Sequence, residues 1–209
     1  MRLGVYASSI AIIAATLSAP TTGLAQTVDI GLHAGFYNPF GSVTGPPIEK
    51  RPLAAVGGGV DAVVFTSRRL GFAGRVMYAP SRVAVIQPGN VVDRQASVIL
   101  ANARVLFAVT PLAVAGAPIP PWSIYIGAGA GLVSRSGGVW MYASGRTSPA
   151  LVWTVGAQTP GGARYTVRFD MEDYISRAHF NAGLPDATMA RMHHDVAFSL
   201  SLSYRIRHP

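Results

Sequence analysis

Ionisable side chains in this sequence recur at alternate positions of otherwise apolar segments. The clearest case is the segment from Arg164 to Ile175, in which Arg168, Asp170 and Glu172 alternate with apolar residues. Successive side chains of a strand point to opposite faces, so this spacing gathers the charges on one side. The set that we expect to face inward together is Asp61, Arg75, Arg104, Arg164, Arg168, Asp170, Glu172 and Arg205.

Two kinds of chemistry are open to this inward-facing set. Buried charges must be paired, because an isolated one costs several kcal/mol, and paired charges would form a salt-bridge network that fills the interior. Alternatively, the set would line a narrow gated ion path, in which the excess of arginine would favour anions. The width of the enclosed space decides between them, so the answer depends on the elements that carry these residues.

The run His193-His194-Asp195 is the second constellation that could carry chemistry. Neighbouring imidazole and carboxylate groups could bind a metal ion or act as acid and base. We interpret the run as a polar cluster at a strand end, because no His-x-Ser spacing supplies a nucleophile beside a base. The chain has no cysteine, which excludes a thiolate metal site and a Cys nucleophile. We therefore predict no catalytic residue, no metal site and no cofactor.

The first 25 residues have the pattern of a cleaved signal peptide. Arg2 provides the positive charge, the stretch from Ile10 to Leu17 is apolar, and Gly23 and Ala25 are small residues at the −3 and −1 positions. We therefore predict an exported protein, with residues 1–25 as the signal peptide and residues 26–209 as one domain.

The composition points to a membrane protein without spanning helices. Half of the residues are hydrophobic, 12% are charged, and the mean hydropathy is +0.34. An average soluble domain has about 25% charged residues. After residue 25, no stretch approaches the ~20 consecutive apolar residues of a spanning helix. A closed barrel is the other structure that pairs every backbone polar group within a bilayer.

Alternation with a period of two predicts eight strands. Their approximate ranges are residues 27–37, 53–66, 70–79, 94–109, 122–133, 149–158, 164–175 and 194–206. The connections after the first, third, fifth and seventh strands are long, as expected for the outer loops of a membrane barrel. The third of these strands would lead into an outer loop that contains Pro80, Pro88 and Gly89. We predict an all-β protein, an eight-stranded antiparallel up-and-down transmembrane β-barrel.

A soluble lipocalin-like barrel would show the same alternation, with its apolar face inside. The apolar face here carries almost no charge, whereas the polar face is small and rich in glycine, which suits a narrow lumen filled by side chains. Aromatic residues also cluster near one end of the strands, as in the girdles of membrane barrels. The predicted girdle consists of Phe72, Phe107, Trp122, Tyr165 and Tyr204. These features favour the membrane barrel and a plugged lumen.

The stretches YIGAGAGL, RYTVRFDMEDYIS and HHDVAFSLSLSYRI resemble the small single-domain outer-membrane β-barrel family, of OmpA/OmpX type. The resemblance implies an eight-stranded barrel that periplasmic chaperones and the outer-membrane assembly machinery bring to the outer membrane. It also implies that the closing strand carries the assembly signal, for which Tyr204 and Ile206 match the family pattern. The usual terminal Phe is absent, and Arg207-His208-Pro209 follows instead.

These observations predict a monomeric protein of the bacterial outer membrane with a structural, adhesive or weakly pore-forming role. Its expected partners are outer-membrane lipids and lipopolysaccharide. A lipid-A-modifying enzyme and a soluble lipocalin-like ligand-binding barrel are the alternatives. The formal charge of +8 raises nucleic-acid binding, but the basic residues are scattered and form no run, so we predict no nucleic-acid partner.

Overall fold

The computed structural model describes residues 27–41, 49–67, 69–110, 122–140, 146–161, 164–178 and 191–207. The predicted signal peptide, residues 1–25, lies outside the described residues. The strands are β1 (Thr27–Phe40), β2 (Glu49–Pro52), β3 (Ala55–Phe65), β4 (Leu70–Gln87), β5 (Asn90–Ala108), β6 (Ser123–Ser136), β7 (Thr147–Pro160), β8 (Tyr165–Ala178) and β9 (Arg191–Arg207). A single 3-10 turn, Gly138–Trp140, lies between β6 and β7 in the described part of the chain. None of the helical turns described is long and apolar enough to cross a membrane.

The strands form one antiparallel ring. The order is β2-β4-β3-β1-β9-β8-β7-β6-β5, and the pairing of β4 with β5 closes the ring. Both β2 and β3 pair with the same flank of β4, so β2 continues β3 and the barrel has eight strands around it. This confirms the predicted eight-stranded antiparallel up-and-down β-barrel. We call the end at which β1 begins and β9 ends the lower end, and the opposite end the upper end.

The upper end differs from the prediction at the segment between the third and fourth expected strands. The sequence predicted a loop around Pro80, Pro88 and Gly89, but β4 and β5 continue as a paired hairpin up to Gln87 and Asn90. Pro88 and Gly89 alone form the turn, and Gly89 has a φ of 78°, which fits a type II turn with Pro before Gly. The predicted loop is therefore wrong: this segment is a rigid ribbon.

Pro80 is tolerated inside β4 because its partner strand is interrupted nearby. Pro52 of β2 pairs with Val83, whereas Gly58 of β3 pairs with Tyr78, so the register shifts by one residue between the two segments. Proline has no backbone N–H to give to a ladder, and it is confined to such breaks and edges. The break therefore explains why a proline does not end the strand.

The 3-10 turn covers the inner face of this ribbon. We call β2 together with residues 80–87 and 90–96 the upper extension. Trp140 is buried and packs against Val83 of the extension. Lys50 of β2 donates a hydrogen bond from Nζ to the Val139 carbonyl at 3.0 Å and lies 5.6 Å from the centre of the Trp140 ring. The extension is thus fastened to the barrel mouth by side chains as well as by its strands.

The barrel is apolar outside and polar inside. Large apolar side chains such as Leu32, Leu151 and Leu200 are exposed on the outer wall, whereas charged side chains such as Arg75 and Glu172 are buried inside. A lipocalin has the opposite arrangement, so the soluble ligand-binding alternative does not fit this fold. The predicted girdle residues Phe72, Phe107, Trp122, Tyr165 and Tyr204 are all exposed at the lower end. Tyr165 and Tyr204 pair directly across β8 and β9, with ring centres 5.6 Å apart.

Candidate functional site in the barrel lumen

A network of ion pairs occupies the middle of the lumen. Arg75 on β4 lies at its centre, with Nη2 2.6 Å from Asp170 Oδ2 and 3.3 Å from Asp61 Oδ2, and Nη1 2.7 Å from Glu172 Oε1. Arg104 Nη1 lies 2.5 Å from the same Glu172 oxygen. We call the six residues of this group the central network: Asp61, Arg75, Arg104, Arg168, Asp170 and Glu172.

The charges of the central network balance. Arg168 Nη2 completes it by donating to Asp61 Oδ1 and to Ser203 Oγ, so that three guanidinium groups face three carboxylates. Every one of the six residues is at most 5% exposed. Burying so many charges is possible because each lies within ion-pair distance of an opposite charge.

Phenol and amide groups use the remaining oxygens of the carboxylates. Tyr125 OH donates to Asp170 Oδ1 at 2.5 Å, and Tyr174 OH donates to Glu172 Oε2 at 2.8 Å. Asn102 Nδ2 donates to the same Glu172 oxygen at 3.1 Å. The Tyr125 ring fits because Gly156 lies opposite, where a Cβ would come within 2.4 Å of Tyr125 Cζ. Small residues in β7 thus make room for the hydrogen-bond donors.

Two further ion pairs lie above and below the central network. At the lower end, Arg205 Nε lies 3.1 Å from Asp29 Oδ1, and Thr166 hydrogen-bonds to both residues. Towards the upper end, Arg135 Nη2 lies 2.5 Å from Asp195 Oδ2, and Tyr37 OH donates to Asp195 Oδ1 at 2.6 Å. The lumen therefore contains three levels of paired charge along its axis.

Apolar side chains occupy the lumen between these levels. One buried cluster contains Met77, Leu100, Val152 and other residues of the upper half. A second, lower cluster contains Phe65, Leu106 and Tyr125. Together with the charged levels, these side chains fill the interior, which is what a barrel of eight strands has room for.

The structure places seven of the eight predicted charges in the lumen and one outside it. Arg164 was predicted to face inward, but this prediction is wrong. It lies in the bend before β8, is exposed, and donates from Nη1 to Tyr204 OH at 3.1 Å. The alternation that predicted its direction holds only within the strand, and β8 begins one residue later at Tyr165.

The upper ion pair was missed by the sequence analysis. The sequence predicts a loop that begins at Ser134, but β6 continues to Ser136 and points Arg135 inward. The alternation itself contained this signal, since Arg135 falls in step with Tyr125 and Val133, which also face inward. The predicted strand ends at Val133 and does not follow the period of two as far as Arg135.

The run His193-His194-Asp195 does not form one cluster. His193 and Asp195 face the lumen, whereas His194 faces outward and lies 2.8 Å from Asp173 Oδ2 of β8. Neither of these two histidines makes a hydrogen bond to a serine or threonine hydroxyl within the described residues. No group of three metal-ligating side chains is found in the described part of the chain. Tyr204 and Ile206, the predicted assembly signal, face outward on β9, and their role stays a prediction.

Comparisons with known proteins define the class of fold. No family model and no curated protein matches this sequence. The structure is similar to the crystal structure of the outer membrane protein OprG from Pseudomonas aeruginosa, with a TM-score of 0.60 and 8% identity, over 88% of this chain and 96% of OprG. It is also similar to Neisserial surface protein A (NspA), with a TM-score of 0.55 and 11% identity, over 86% of this chain and 97% of NspA. The fold is thus that of small outer-membrane β-barrel proteins, as the sequence resemblance predicted.

Proposed function

We propose that this chain is an integral protein of the bacterial outer membrane, exported by a cleaved signal peptide, with a structural and adhesive role. The observation that carries the proposal is the reversed polarity of the barrel, with exposed leucines and phenylalanines outside and ion pairs inside. Such a surface is stable in hydrocarbon and not in water. In this orientation the girdle at the lower end lies at the periplasmic interface, and the upper extension stands outside the cell.

The lumen supports a plugged barrel rather than a pore. Its three levels of paired charge, with apolar clusters between them, offer no unpaired ring of charge that would attract and pass one type of ion. We therefore expect planar bilayers loaded with the purified protein to remain silent. Steady single-channel conductance at low protein loading would contradict this part of the proposal.

The upper extension supports the adhesive part of the role. It is a paired ribbon backed by a buried tryptophan, so its exposed side chains are held in place. Arg82 and Arg94 are exposed on it, and Arg146 is exposed beside it at the start of β7. The two acidic residues of the extension are Glu49, which is paired with Arg51, and Asp93. This excess of positive charge suits an anionic polymer on another surface.

Two experiments test the proposal. The first is heat-modifiable migration in detergent gels: a folded membrane barrel migrates differently before and after boiling, and identical migration would contradict the membrane barrel. The second measures binding of bacteria that display the protein to beads coated with dextran sulfate or with neutral dextran.

The adhesion experiment has a matched control at the opposite end of the barrel. We expect the triple variant Arg82→Gln, Arg94→Gln and Arg146→Gln to lose most of the binding to dextran sulfate. The double variant Arg69→Gln and Arg164→Gln removes charge from the lower end and should bind as the wild type does. Equal binding by the triple variant and the wild type would overturn the adhesive role.

The proposal also includes biogenesis and the absence of catalysis. Tyr204 and Ile206, on the outward face of the closing strand, are available to the assembly machinery before the barrel closes. Within the described ranges, neither His193 nor His194 hydrogen-bonds to a hydroxyl nucleophile, which supports a role without catalysis. An unchanged mass of lipid A after expression of the protein is the expected result, and a lost acyl chain would favour the enzyme alternative.

A further inference from the structure

One polar cluster interrupts the apolar outer wall. Asp173 on β8 accepts hydrogen bonds at Oδ2 from Trp153 Nε1 of β7, at 3.1 Å, and from His194 Nδ1 of β9, at 2.8 Å. All three side chains point away from the lumen, because their neighbours in sequence face inward. We call Trp153, Asp173 and His194 the wall cluster.

The wall cluster lies near the top of the surface that the membrane would cover. Asp173 is eight residues above Tyr165 of the girdle along β8. Strands rise about 3.3 Å per residue and tilt by roughly 40° in such barrels, which places Asp173 roughly 20 Å above the girdle. The apolar band of these barrels is about 25 Å tall, so the cluster lies at the boundary with the outer headgroups.

Charged groups are otherwise missing from this surface. Among the described residues, the outward wall between the girdle and the level of Arg82 and Arg177 has no other carboxylate, imidazole, ammonium or guanidinium group. A charge on the lipid face costs little near the interface and more towards the midplane. Its position at the interface makes the cluster tolerable, but it does not explain why a polar cluster is present.

The wall cluster has hydrogen-bonding capacity that the protein does not use. The Asp173 side chain is 9% exposed, and its Oδ1 atom is buried with no hydrogen-bond partner in the part of the chain that the structure describes. The His194 side chain is 47% exposed, and its hydrogen bond within the described residues uses Nδ1, which leaves Nε2 for another partner. Because the ring donates from Nδ1, its exposed Nε2 atom is an acceptor for a hydrogen-bond donor from outside the protein.

A cationic side chain lies beside the cluster on the same face. Arg177 pairs with Met192, and Ile175 pairs with His194, so Arg177 and His194 are diagonal neighbours across β8 and β9. Diagonal neighbours are about 7–8 Å apart, within reach of a long side chain. Arg177 is exposed. A guanidinium group is well suited to hold a phosphate by two parallel hydrogen bonds.

We infer that the wall cluster and Arg177 bind the phosphorylated sugar headgroup of a glycolipid in the outer leaflet. Arg177 contacts the phosphate, and His194 Nε2 accepts a hydrogen bond from a hydroxyl or amide N–H of the sugar. Asp173 Oδ2 accepts the hydrogen bond of His194 Nδ1 and so holds the imidazole ring in this orientation. Trp153 and the exposed ring of Phe40, which pairs with His194 across β9 and β1, flank the lipid chains.

The inference rests on the proposed location in the outer membrane, and the experiment separates the two. The wild type and each variant are reconstituted into phospholipid nanodiscs that contain lipid A with both phosphates, lipid A without phosphates, or no lipid A. Retained lipid A is counted by native mass spectrometry after detergent is added. Heat-modifiable migration of the same samples shows whether the barrel has inserted.

The expected result is preferential retention of phosphorylated lipid A by the wild type. The variants Arg177→Gln and Asp173→Asn should each lower retention about tenfold, which corresponds to about 1.4 kcal/mol. Arg69→Gln is the control, since it removes an exposed arginine at the lower end of the barrel, away from the wall cluster, and it should retain lipid as the wild type does. Excess inorganic phosphate should not displace the lipid, because the sugar contact to His194 belongs to the glycolipid alone.

Each other outcome overturns a defined part of the argument. Insertion without a preference for phosphorylated lipid A, or equal losses in Arg69→Gln and Arg177→Gln, overturns the site and leaves the membrane location intact. Displacement by inorganic phosphate reduces the site to a general anion site and overturns recognition of the glycolipid. A chain that inserts into none of the bilayers overturns the proposed location and the site with it.

Discussion

The lumen and the outer wall each contain an aspartate beside a histidine, and the two pairs differ in what else surrounds them. In the lumen, His33 Nδ1 lies 3.6 Å from Asp61 Oδ2, and Asp61 also contacts Arg75 and Arg168. On the wall, His194 Nδ1 lies 2.8 Å from Asp173 Oδ2, and no arginine pairs with Asp173 among the described residues. The lumen pair is at most 1% exposed, whereas His194 is about half exposed.

This difference indicates that the lumen pair stabilises the barrel, whereas the wall pair can contact molecules outside the protein. The Asp61 charge is balanced within the protein, so removing a partner leaves a buried charge that water cannot reach. The Asp173 charge is met by two hydrogen bonds, and one of its oxygens has no hydrogen-bond partner among the described residues. We therefore expect stability to depend on the lumen and lipid contact to depend on the wall.

The largest effect should follow from removing the centre of the lumen network. Arg75→Met keeps an unbranched side chain about as long as the aliphatic stem of arginine, but it leaves Asp61, Asp170 and Glu172 without their shared guanidinium. Breaking a buried pair costs about 3–5 kcal/mol, because a charge is left uncompensated. We expect a decrease of that size in the free energy of unfolding, measured by urea unfolding from phospholipid vesicles and followed by tryptophan fluorescence.

A double variant tests whether this loss comes from charge. Adding Glu172→Gln to Arg75→Met removes one of the uncompensated carboxylates, so the double variant should be more stable than the sum of the two single changes predicts. Strictly additive losses would show that Arg75 stabilises the barrel by packing alone. The proposed electrostatic difference between the lumen and the wall would then be wrong.

An intermediate effect should follow from filling the space beside Tyr125. A Cβ at position 156 would lie 2.4 Å from Tyr125 Cζ, so Gly156→Ala must displace the ring that donates to Asp170. Overpacking of this kind costs about 1–3 kcal/mol. The same unfolding measurement should show this loss, and the double variant Gly156→Ala with Tyr125→Phe should lose less than the two single variants together. Unchanged stability of Gly156→Ala would contradict the close approach of β7 and Tyr125.

The sequence predicted the barrel well because alternation is a local signal that is repeated in every strand. The direction of Asp61, Arg75 and Arg168 followed from period two alone, and the structure places all three inside. The same rule places His193 and His194 on opposite faces of the strand. The prediction instead treated His193-His194-Asp195 as one cluster. Applying the period of two to these three residues predicts that His194 lies on the outer wall.

The sequence could not predict the upper extension or the partner of His194. Pro80, Pro88 and Gly89 are typical of loops, and Pro80 is tolerated in β4 only because β2 and β3 are separated opposite it. That break depends on the pairing of distant segments. The contact of His194 with Asp173 likewise depends on the register between β8 and β9, which no local pattern contains.

The smallest effect on stability should follow from Asp173→Asn, and its matched control is Asp61→Asn. Both changes replace a carboxylate beside a histidine with an amide of the same shape. In the lumen, the change leaves Arg75 and Arg168 short of one negative charge, so we expect a loss of about 3 kcal/mol in the free energy of unfolding. On the wall, the amide oxygen can still accept the hydrogen bond of Trp153, and a charge at the interface contributes little, so the change should be below about 1 kcal/mol. Urea unfolding of the two variants in identical vesicles measures the difference. A site that serves lipid contact should contribute little to folding. Equal losses would therefore contradict this role and would mean that the wall cluster stabilises the barrel as the lumen network does.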